Sequence, residues 1–298
     1  MNMSNNELSI GAAITKTISF LADKQFPNPR LEADLLLASV LDLPRVKLYS
    51  EWDRLLTAAE TQRYRELIVK RVQGCPLAYI TGKKSFLSWD FTVTPAVLIP
   101  RPETELLIET VHEMGRALAV EKNTPLRGVD VGTGSGVIAI TLAKLFPESN
   151  WYALDISGEA IGVARQNAEN LGVASRIQFI TGDLLEPLLQ DTALGGKFDL
   201  IVANLPYIPS SEIASLQKEV QQEPKLALDG GGDGLEFYRR LIPQAFSLMS
   251  DHGIIALEHG HDQRAALEAM ALQSGAQNCR SFKDLAGIDR VFTAARIE

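Results

Sequence analysis

Three short stretches of this 298-residue chain carry residue types and spacings suited to holding a nucleoside. Asp130-Val131-Gly132-Thr133-Gly134-Ser135-Gly136 follows one apolar run and opens another. Its glycines permit positive φ and let the backbone come close to a ligand, beside the partial positive charge of a helix start. The spacing is not GxGxxG, since one residue rather than two separates the second and third glycines, and no Lys-Ser/Thr pair follows as in a phosphate-binding P-loop. Alone, such a loop is equally a tight strand-to-helix turn. Asp155 ends the next apolar run, about 20 residues on, where a carboxylate can accept from both hydroxyls of a ribose. Asp183, in Thr181-Gly-Asp-Leu184, ends a third run. A short polar side chain there can meet an adenine amino group, with Ile156 and Leu184 placed to sandwich the ring. A lone Asp after a strand is most often a helix cap. Three such features at successive strand ends instead place a binding crevice at a topological switch point.

This set resembles the class I S-adenosylmethionine-dependent methyltransferases. Asn204-Leu205-Pro206-Tyr207, directly after a fourth apolar run, resembles the (Asp/Asn/Ser)-Pro-Pro-(Tyr/Phe/Trp) signature of those methyltransferases that modify a planar amino or amide nitrogen. The chemistry accounts for the residue types. The lone pair of an amide is delocalised, so the nitrogen is a poor nucleophile. Two acceptors, the Asn204 side-chain oxygen and a backbone carbonyl of the turn, can hold the NH2 hydrogens, aim the lone pair and stabilise charge as it develops. Tyr207 can pack against the flat group, and no strong base is needed. Leu205 stands where the signature has proline. Leucine keeps the carbonyl, and Pro206 still biases residue 205 towards an extended conformation. The exchange frees one dihedral and adds an N–H, so it bears on the rigidity of the turn more than on its role.

For these residues to converge, they must hang from neighbouring strands. From residue 126 the chain alternates strands at 128–131, 150–154, 176–180, 198–203 and 254–257 with helices at 137–146 and 157–171. That alternation predicts an α/β fold with a doubly wound, mostly parallel sheet. Ahead of it, Pro102-Glu-Thr-Glu105 opens a helical segment over 106–118. Phe86, Trp89, Phe91, Val93 and Val97 alternate loosely within 81–100 and suggest a hairpin or extended connector. Residues 1–80 read as helices: Leu35, Leu36, Leu37, Val40 and Leu41 recur at helical spacing behind Pro27 and Pro29, Thr57-Ala-Ala-Glu60 is a capping-box pattern, and Gly74 and Pro76 end the helix that follows. The expected domains are therefore 1–80, a connector at 81–100, and 101–298. Asp229-Gly-Gly-Gly-Asp-Gly234 reads as a turn-rich loop.

Composition sets the limits. Hydrophobic residues at 46% and charged residues at 22% exclude wholesale disorder. With 29 basic against 37 acidic residues the net charge is −8, so the broad basic footprint of a nucleic-acid binder is missing and no nucleic-acid partner is expected. Cys75 and Cys279 belong to no CxxC or Cys/His cluster, which argues against a disulfide scaffold or zinc site and for reduced thiols. The Glu258-His-Gly-His261 stretch lacks further ligands and reads as a structural loop, so no metal is expected. The opening Met1-Asn-Met-Ser-Asn-Asn-Glu-Leu8 lacks the basic and apolar regions of a signal peptide. The richest apolar segment, 31–43, is broken by Glu32, Asp34 and Asp42, and no run reaches the roughly 18 residues of a membrane span. The expectation is a cytoplasmic protein with no membrane partner, and nothing demands more than a monomer.

Nearly the whole chain resembles the protein-(glutamine) methyltransferases of peptide chain release factors, the PrmC/HemK family. The stretches that carry the resemblance are Arg30-Leu-Glu-Ala-Asp-Leu-Leu-Leu37, Ala78-Tyr-Ile-Thr-Gly82, Val97-Leu-Ile-Pro-Arg-Pro-Glu-Thr-Glu105, Asp130 to Gly136, Asn204 to Tyr207, Glu223-Pro224 with Ala227-Leu228, and Glu258-His-Gly260. The resemblance implies a Rossmann-like class I methyltransferase sheet, S-adenosylmethionine as cofactor, and methylation of the glutamine in the Gly-Gly-Gln loop of release factors. It implies that the N-terminal helices help dock that protein substrate. On it, Gly132, Thr133, Gly134, Ser135 and Gly136 cradle the methionine part of the cofactor with Asp130 beside them in its binding site, Asp155 holds its ribose, and Ile156, Asp183 and Leu184 flank its adenine. Asn204 borders both ligands and, with Leu205 and Pro206, holds the glutamine amide beside Tyr207, making Asn204, Pro206 and Tyr207 the catalytic set. Arg101 and Glu103 either line the substrate mouth or cap the helix that follows. Three other readings share the sheet: a glutamine methyltransferase of a ribosomal protein, an amino-methyltransferase of adenine or guanine in nucleic acid, and a non-catalytic cofactor-binding module.

Overall fold

The computed structural model describes residues 8–191 and 197–296, so the reading of the first seven residues as no leader lies outside the described part. Contacts divide the chain into two units, the smaller comprising the segment through Gly82 together with Lys218–Gln222. Its helices are α1 (Ile10–Asp23), α2 (Pro29–Leu41), α3 (Arg45–Ser50), α4 (Ala58–Val72) and α5 (Leu77–Thr81). Local sequence sets their starts. Ser9 caps α1, accepting from the Ala12 amide at 3.2 Å. Pro29 occupies the first turn of α2, where its missing N–H costs nothing. Thr57 and Glu60 close a reciprocal capping box on α4, with Glu60 Oε2 accepting from the Thr57 amide at 2.8 Å and Thr57 Oγ1 from the Glu60 amide at 3.2 Å. Ile10, Ile14, Leu21, Leu36, Leu37 and Leu48 fill the core. Glu32, which breaks the apolar run in the sequence, is buried there and receives the Arg71 guanidinium, whose Nη2 donates to it at 3.0 Å and to Glu219 at 2.7 Å. A buried charge requires such a partner.

The larger unit begins with the hairpin of β1 (Lys83–Phe86) and β2 (Trp89–Thr92), whose Phe86 and Phe91 meet edge-on in the core. Next, α6 (Glu103–Lys122) starts three residues earlier than the apolar periodicity alone suggests. Pro102 and the acidic residues Glu103 and Glu105 suit the first turn and its exposed amides. The sheet contains β3 (Arg127–Val131), β4 (Asn150–Asp155), β5 (Ile177–Thr181), β6 (Phe198–Ala203), β7 (Met249–Glu258), β8 (Asn278–Lys283) and β9 (Asp289–Ala295) in the order β5-β4-β3-β6-β7-β9-β8. Strands β3 to β7 run parallel, and β9 is antiparallel to both its neighbours. Between strands lie α7 (Val137–Leu145), α8 (Gly158–Asn170), α9 (Glu186–Gln190), α10 (Glu236–Leu248) and α11 (Arg264–Gln273). The doubly wound expectation holds. Two cores form, one on each face: in β6, Ile201 and Ala203 point to one, and Leu200 and Val202 to the other.

The C-terminal third departs from the sequence reading. The helices α10 and α11 and the antiparallel pair β8–β9 are additional elements, and β7 is longer than 254–257. Pro243 inside α10 interrupts its pattern, and β8 is a half-exposed edge strand with no buried apolar run. Among the described residues no helix is long and apolar enough to cross a membrane.

The topology positions the site. From β3 the chain winds outward through β4 and β5, then returns to β6 on the other side of β3. Val131 pairs with Leu154 and Ala203, and Asp155 with Thr181, so the segments after all four strands overhang one edge. That edge is the switch point, where the crevice of such a sheet lies.

Candidate active site

A cavity of about 270 Å3 opens over this edge. Its wall includes Gly132 to Ser135, Asp155, Ile156, Asp183, Leu184, and Asn204 to Pro206, contributed by the ends of four strands. Arg101 lines it too. Asp130, Gly136, Glu103 and Tyr207 do not.

The glycine loop is held from below. Asp130 is fully buried and its Oδ2 accepts from Thr133 Oγ1 at 2.6 Å and from the Ala139 amide at 3.1 Å. It therefore braces the loop against the start of α7 rather than facing a ligand. Burial pushes its carboxyl up to about 7. Gly132, Gly134 and Gly136 all have positive φ. A Cβ at Gly134 would meet nothing within 4 Å, whereas one at Gly132 would lie 2.8 Å from Leu205 Cδ2. That contact shows what Leu205 does in place of proline. Its side chain is 4% exposed and rests on Gly132, so packing supplies rigidity that a ring would otherwise give.

Asp155 is already engaged on both oxygens, accepting from the Gly134 amide and from the Ser157 amide, each at 2.9 Å. A carboxylate oxygen has two lone-pair sites, so acceptor capacity remains on the cavity side. Burial raises this carboxyl despite those bonds. Asp183 is not alone either: Arg240 of α10 pairs with its Oδ2 and with Glu186 at 3.3 Å. Asn167, 1% exposed on α8, ties the hairpin to the glycine loop by donating to the carbonyls of Thr92 and Ser135 at 2.9 Å each.

The Asn204–Tyr207 turn is clamped from two sides. The Ile208 amide donates to the Leu228 carbonyl at 3.1 Å and the Gly230 amide to the Ile208 carbonyl at 2.8 Å. The turn-rich loop at 229–234 is thus a wall against this turn. A Cβ at Gly230 would lie 2.7 Å from the Pro206 carbonyl oxygen, and one at Gly234 2.2 Å from that of Tyr207. From the other side Gln263 Nε2 donates to the Tyr207 carbonyl at 2.9 Å, while its Oε1 accepts from the Gly260 amide at 2.9 Å. The Glu258–His261 stretch accordingly buttresses the turn. His259 is buried and His261 exposed, and among the described residues no group of three or more His, Cys, Asp or Glu could hold a metal.

Asn204 itself donates through Nδ2 to Thr104 Oγ1 at 3.2 Å, and Thr104 donates to Glu258 Oε2 at 2.7 Å. Its Oδ1 accepts no hydrogen bond among the described residues and belongs to a side chain on the cavity wall. An acceptor so placed, next to the carbonyl of Leu205, can bind the two hydrogens of a planar NH2. For Arg101 and Glu103 the two expectations separate. Arg101 lines the cavity and pairs with the buried Glu223, which also accepts from the Ile99 amide at 3.0 Å. Glu103 sits in the first turn of α6. Thr104, Glu258, Glu223, Gln263 and Arg240 were not expected from the sequence. The usable signal for Glu258 was a carboxylate ending the apolar run Ile254-Ile-Ala-Leu257, as Asp155 ends its own.

Comparison with known proteins covers the same ground. Residues 12–82 match the PrmC N-terminal domain and residues 122–290 a methyltransferase domain. The release factor glutamine methyltransferase of Moorella thermoacetica is 43% identical over 98% of this chain and 100% of its own length. That of Chlorobaculum tepidum is 41% identical over 95% of each chain. The N-terminal domain of human METTL16, solved in complex with SAH, covers 95% of this chain and 95% of its own with a TM-score of 0.54 at 16% identity, which shows a common fold. With identity of this order over nearly the whole of both chains, the chain belongs to the release factor glutamine methyltransferase family of S-adenosylmethionine-dependent enzymes.

Proposed function

We propose that this enzyme transfers the methyl group of S-adenosylmethionine to the side-chain amide nitrogen of the glutamine in the Gly-Gly-Gln loop of peptide chain release factors, directly and in line. The observation that carries the reading is Asn204, a residue of the cavity wall whose NH2 donates to Thr104 and whose oxygen accepts no hydrogen bond among the described residues.

The residues present fit the cofactor. The glycine loop leaves open space at Gly134, Asp155 offers acceptors for ribose hydroxyls, and Asp183 with Ile156 and Leu184 suits an adenine. Gly132, Thr133, Ser135 and Asn204 would complete its surroundings, with Asp130 and Gly136 shaping the loop. When bound, S-adenosylmethionine supplies an electrophilic methyl group on a sulfonium sulfur. The chain's own task is to prepare the nitrogen. Asn204 Oδ1 and the Leu205 carbonyl accept the two amide hydrogens, which fixes the amide plane and counters the charge that grows on nitrogen. Pro206 and Tyr207 hold the turn's shape, and Arg101 borders the entrance. The alkylated nitrogen then loses a proton to solvent, so no enzyme base is required. In this reading the helices of residues 1–80 dock the release factor, 81–100 is a connector, 101–298 performs the transfer, and the enzyme acts as a monomer without nucleic acid.

Transfer of radiolabelled methyl to a purified release factor tests the substrate. Label is expected on the natural factor and none on one whose Gly-Gly-Gln glutamine is replaced by glutamate. Equal labelling of both would contradict the proposal.

A further inference from the structure

Behind the Asn204 turn stand two side chains that the transfer itself does not use. Glu258 closes β7, is 1% exposed, and accepts the Thr104 hydroxyl at 2.7 Å. Thr104, 2% exposed on the first turn of α6, accepts in turn from Asn204 Nδ2 at 3.2 Å, and the Asn204 amide also helps to hold the Glu258 carboxyl down. The hydroxyl proton of Thr104 is committed to the carboxylate, so its oxygen can only accept from Asn204. An ionised carboxylate is likewise acceptor-only. Both neighbours therefore demand the NH2 end of Asn204. An asparagine amide has two nearly isosteric orientations, and this pair selects the one with oxygen towards the cavity. In the other, Asn204 would offer a donor to a substrate NH2 that also donates.

We propose that Glu258, acting directly and through Thr104, is a positioning residue that holds the Asn204 oxygen towards the cleft, and that its ionised form is the competent one. The orientation follows from the fold alone, whereas its effect on rate rests on the glutamine-methylation reading above. A protonated Glu258 becomes a donor, and the Asn204 amide can then turn its oxygen inward to meet it. Burial pushes the Glu258 carboxyl up to about 7, with Glu103 of α6 raising it further and Arg290 of β9 opposing. The hydroxyls of Tyr207 and Tyr238 also interact with it, and Tyr238 donates to the Glu258 carbonyl at 2.6 Å. The competent form thus fills as pH rises through about 7, and kcat rises with it. Asp130 is also pushed up to about 7, but it braces the glycine loop, so its titration registers in the KM for S-adenosylmethionine.

Two measurements on the full-length protein test this. First, the side-chain amide NMR signals of Asn204, assigned by their loss in Asn204→Ala, are followed across neutral pH without substrate. They should titrate with a midpoint near 7 in the wild type. In Glu258→Gln, whose amide can donate to the Asn204 oxygen, they should sit at the low-pH position and no longer move. Second, Glu258→Gln should lower kcat about 100-fold, on the scale of losing one aligned polar group. It should also flatten the pH rise and leave the affinity for S-adenosylmethionine unchanged. Thr104→Val, which keeps volume and loses the hydroxyl, should slow transfer, while Thr104→Ser, which loses volume and keeps the hydroxyl, should restore it. Signals that do not titrate, or that titrate identically in Glu258→Gln, overturn the proposal whatever the substrate is. So does a wild type that methylates glutamine with Glu258→Gln matching its rate and pH profile. The expected NMR result from an enzyme that labels no glutamine would uphold the positioning and refute the reaction.

Discussion

Asn204→Ala is expected to cut the methyl-transfer rate about 100- to 1,000-fold, the scale seen when one preorganised hydrogen-bonding group is lost from a reacting centre. The side chain supplies an acceptor to the substrate amide, and the variant leaves the Leu205 carbonyl as the remaining one. The affinity for S-adenosylmethionine should fall far less than the rate, because the glycine loop, Asp155, Ile156, Asp183 and Leu184 keep most of the cofactor's surroundings in place. The fold should also persist: Asn204 is only partly buried, and the Thr104–Glu258 bond does not depend on it. Single-turnover transfer measured beside cofactor affinity separates these effects. Full rate in a folded variant would remove Asn204 from the chemistry.

The second large effect is expected from Gly234→Ala, a single methyl group placed away from the cavity wall. Gly234 has φ +75, and a Cβ there would lie 2.2 Å from the Tyr207 carbonyl oxygen and 2.6 Å from Gln263 Nε2. The first of these atoms is backbone, so relief requires the Asn204–Tyr207 turn to move. Strain in the left-handed region and the clash together should cost about 2–4 kcal/mol of stability. A shift of about 1 Å in the acceptors should also slow transfer about 100-fold. Gly232→Ala is the matched control. It lies in the same loop, its Cβ would meet nothing within 4 Å, and it should stay within about 0.5 kcal/mol of wild type. Chemical denaturation and the transfer assay read both variants. Equal behaviour of the two would show that the 229–234 loop does not set the turn.

The sheet and its crevice were legible because each site stretch follows a short apolar run in the sequence. β6, buried along its whole length from Phe198 to Ala203, leads straight into Asn204. The glycine loop, Asp155 and Asp183 could be placed on one edge from strand order alone. What holds them could not. The Thr104–Asn204 bond spans 100 residues and the Thr104–Glu258 bond 154, and no local pattern encodes a pairing at that range. Asp183 reads in the sequence as a carboxylate free to meet a ligand, yet Arg240 pairs with it from a helix that Pro243 obscures. Asp130, read as part of the cofactor's binding site, braces the glycine loop from beneath, a distinction of burial that residue type does not reveal. For Leu205 the sequence shows a lost ring, and only the packing on Gly132 shows the compensation.

The central claim, a methyl group placed on one glutamine side-chain nitrogen, is tested most directly by fragmentation mass spectrometry. The sample is the Gly-Gly-Gln peptide from a release factor incubated with the enzyme and S-adenosylmethionine. The account predicts one added methyl group, located on the glutamine side chain and absent when Asn204→Ala replaces the wild type. An unmodified glutamine from an enzyme shown separately to bind S-adenosylmethionine, or a methyl group on any other residue of the peptide, would contradict it.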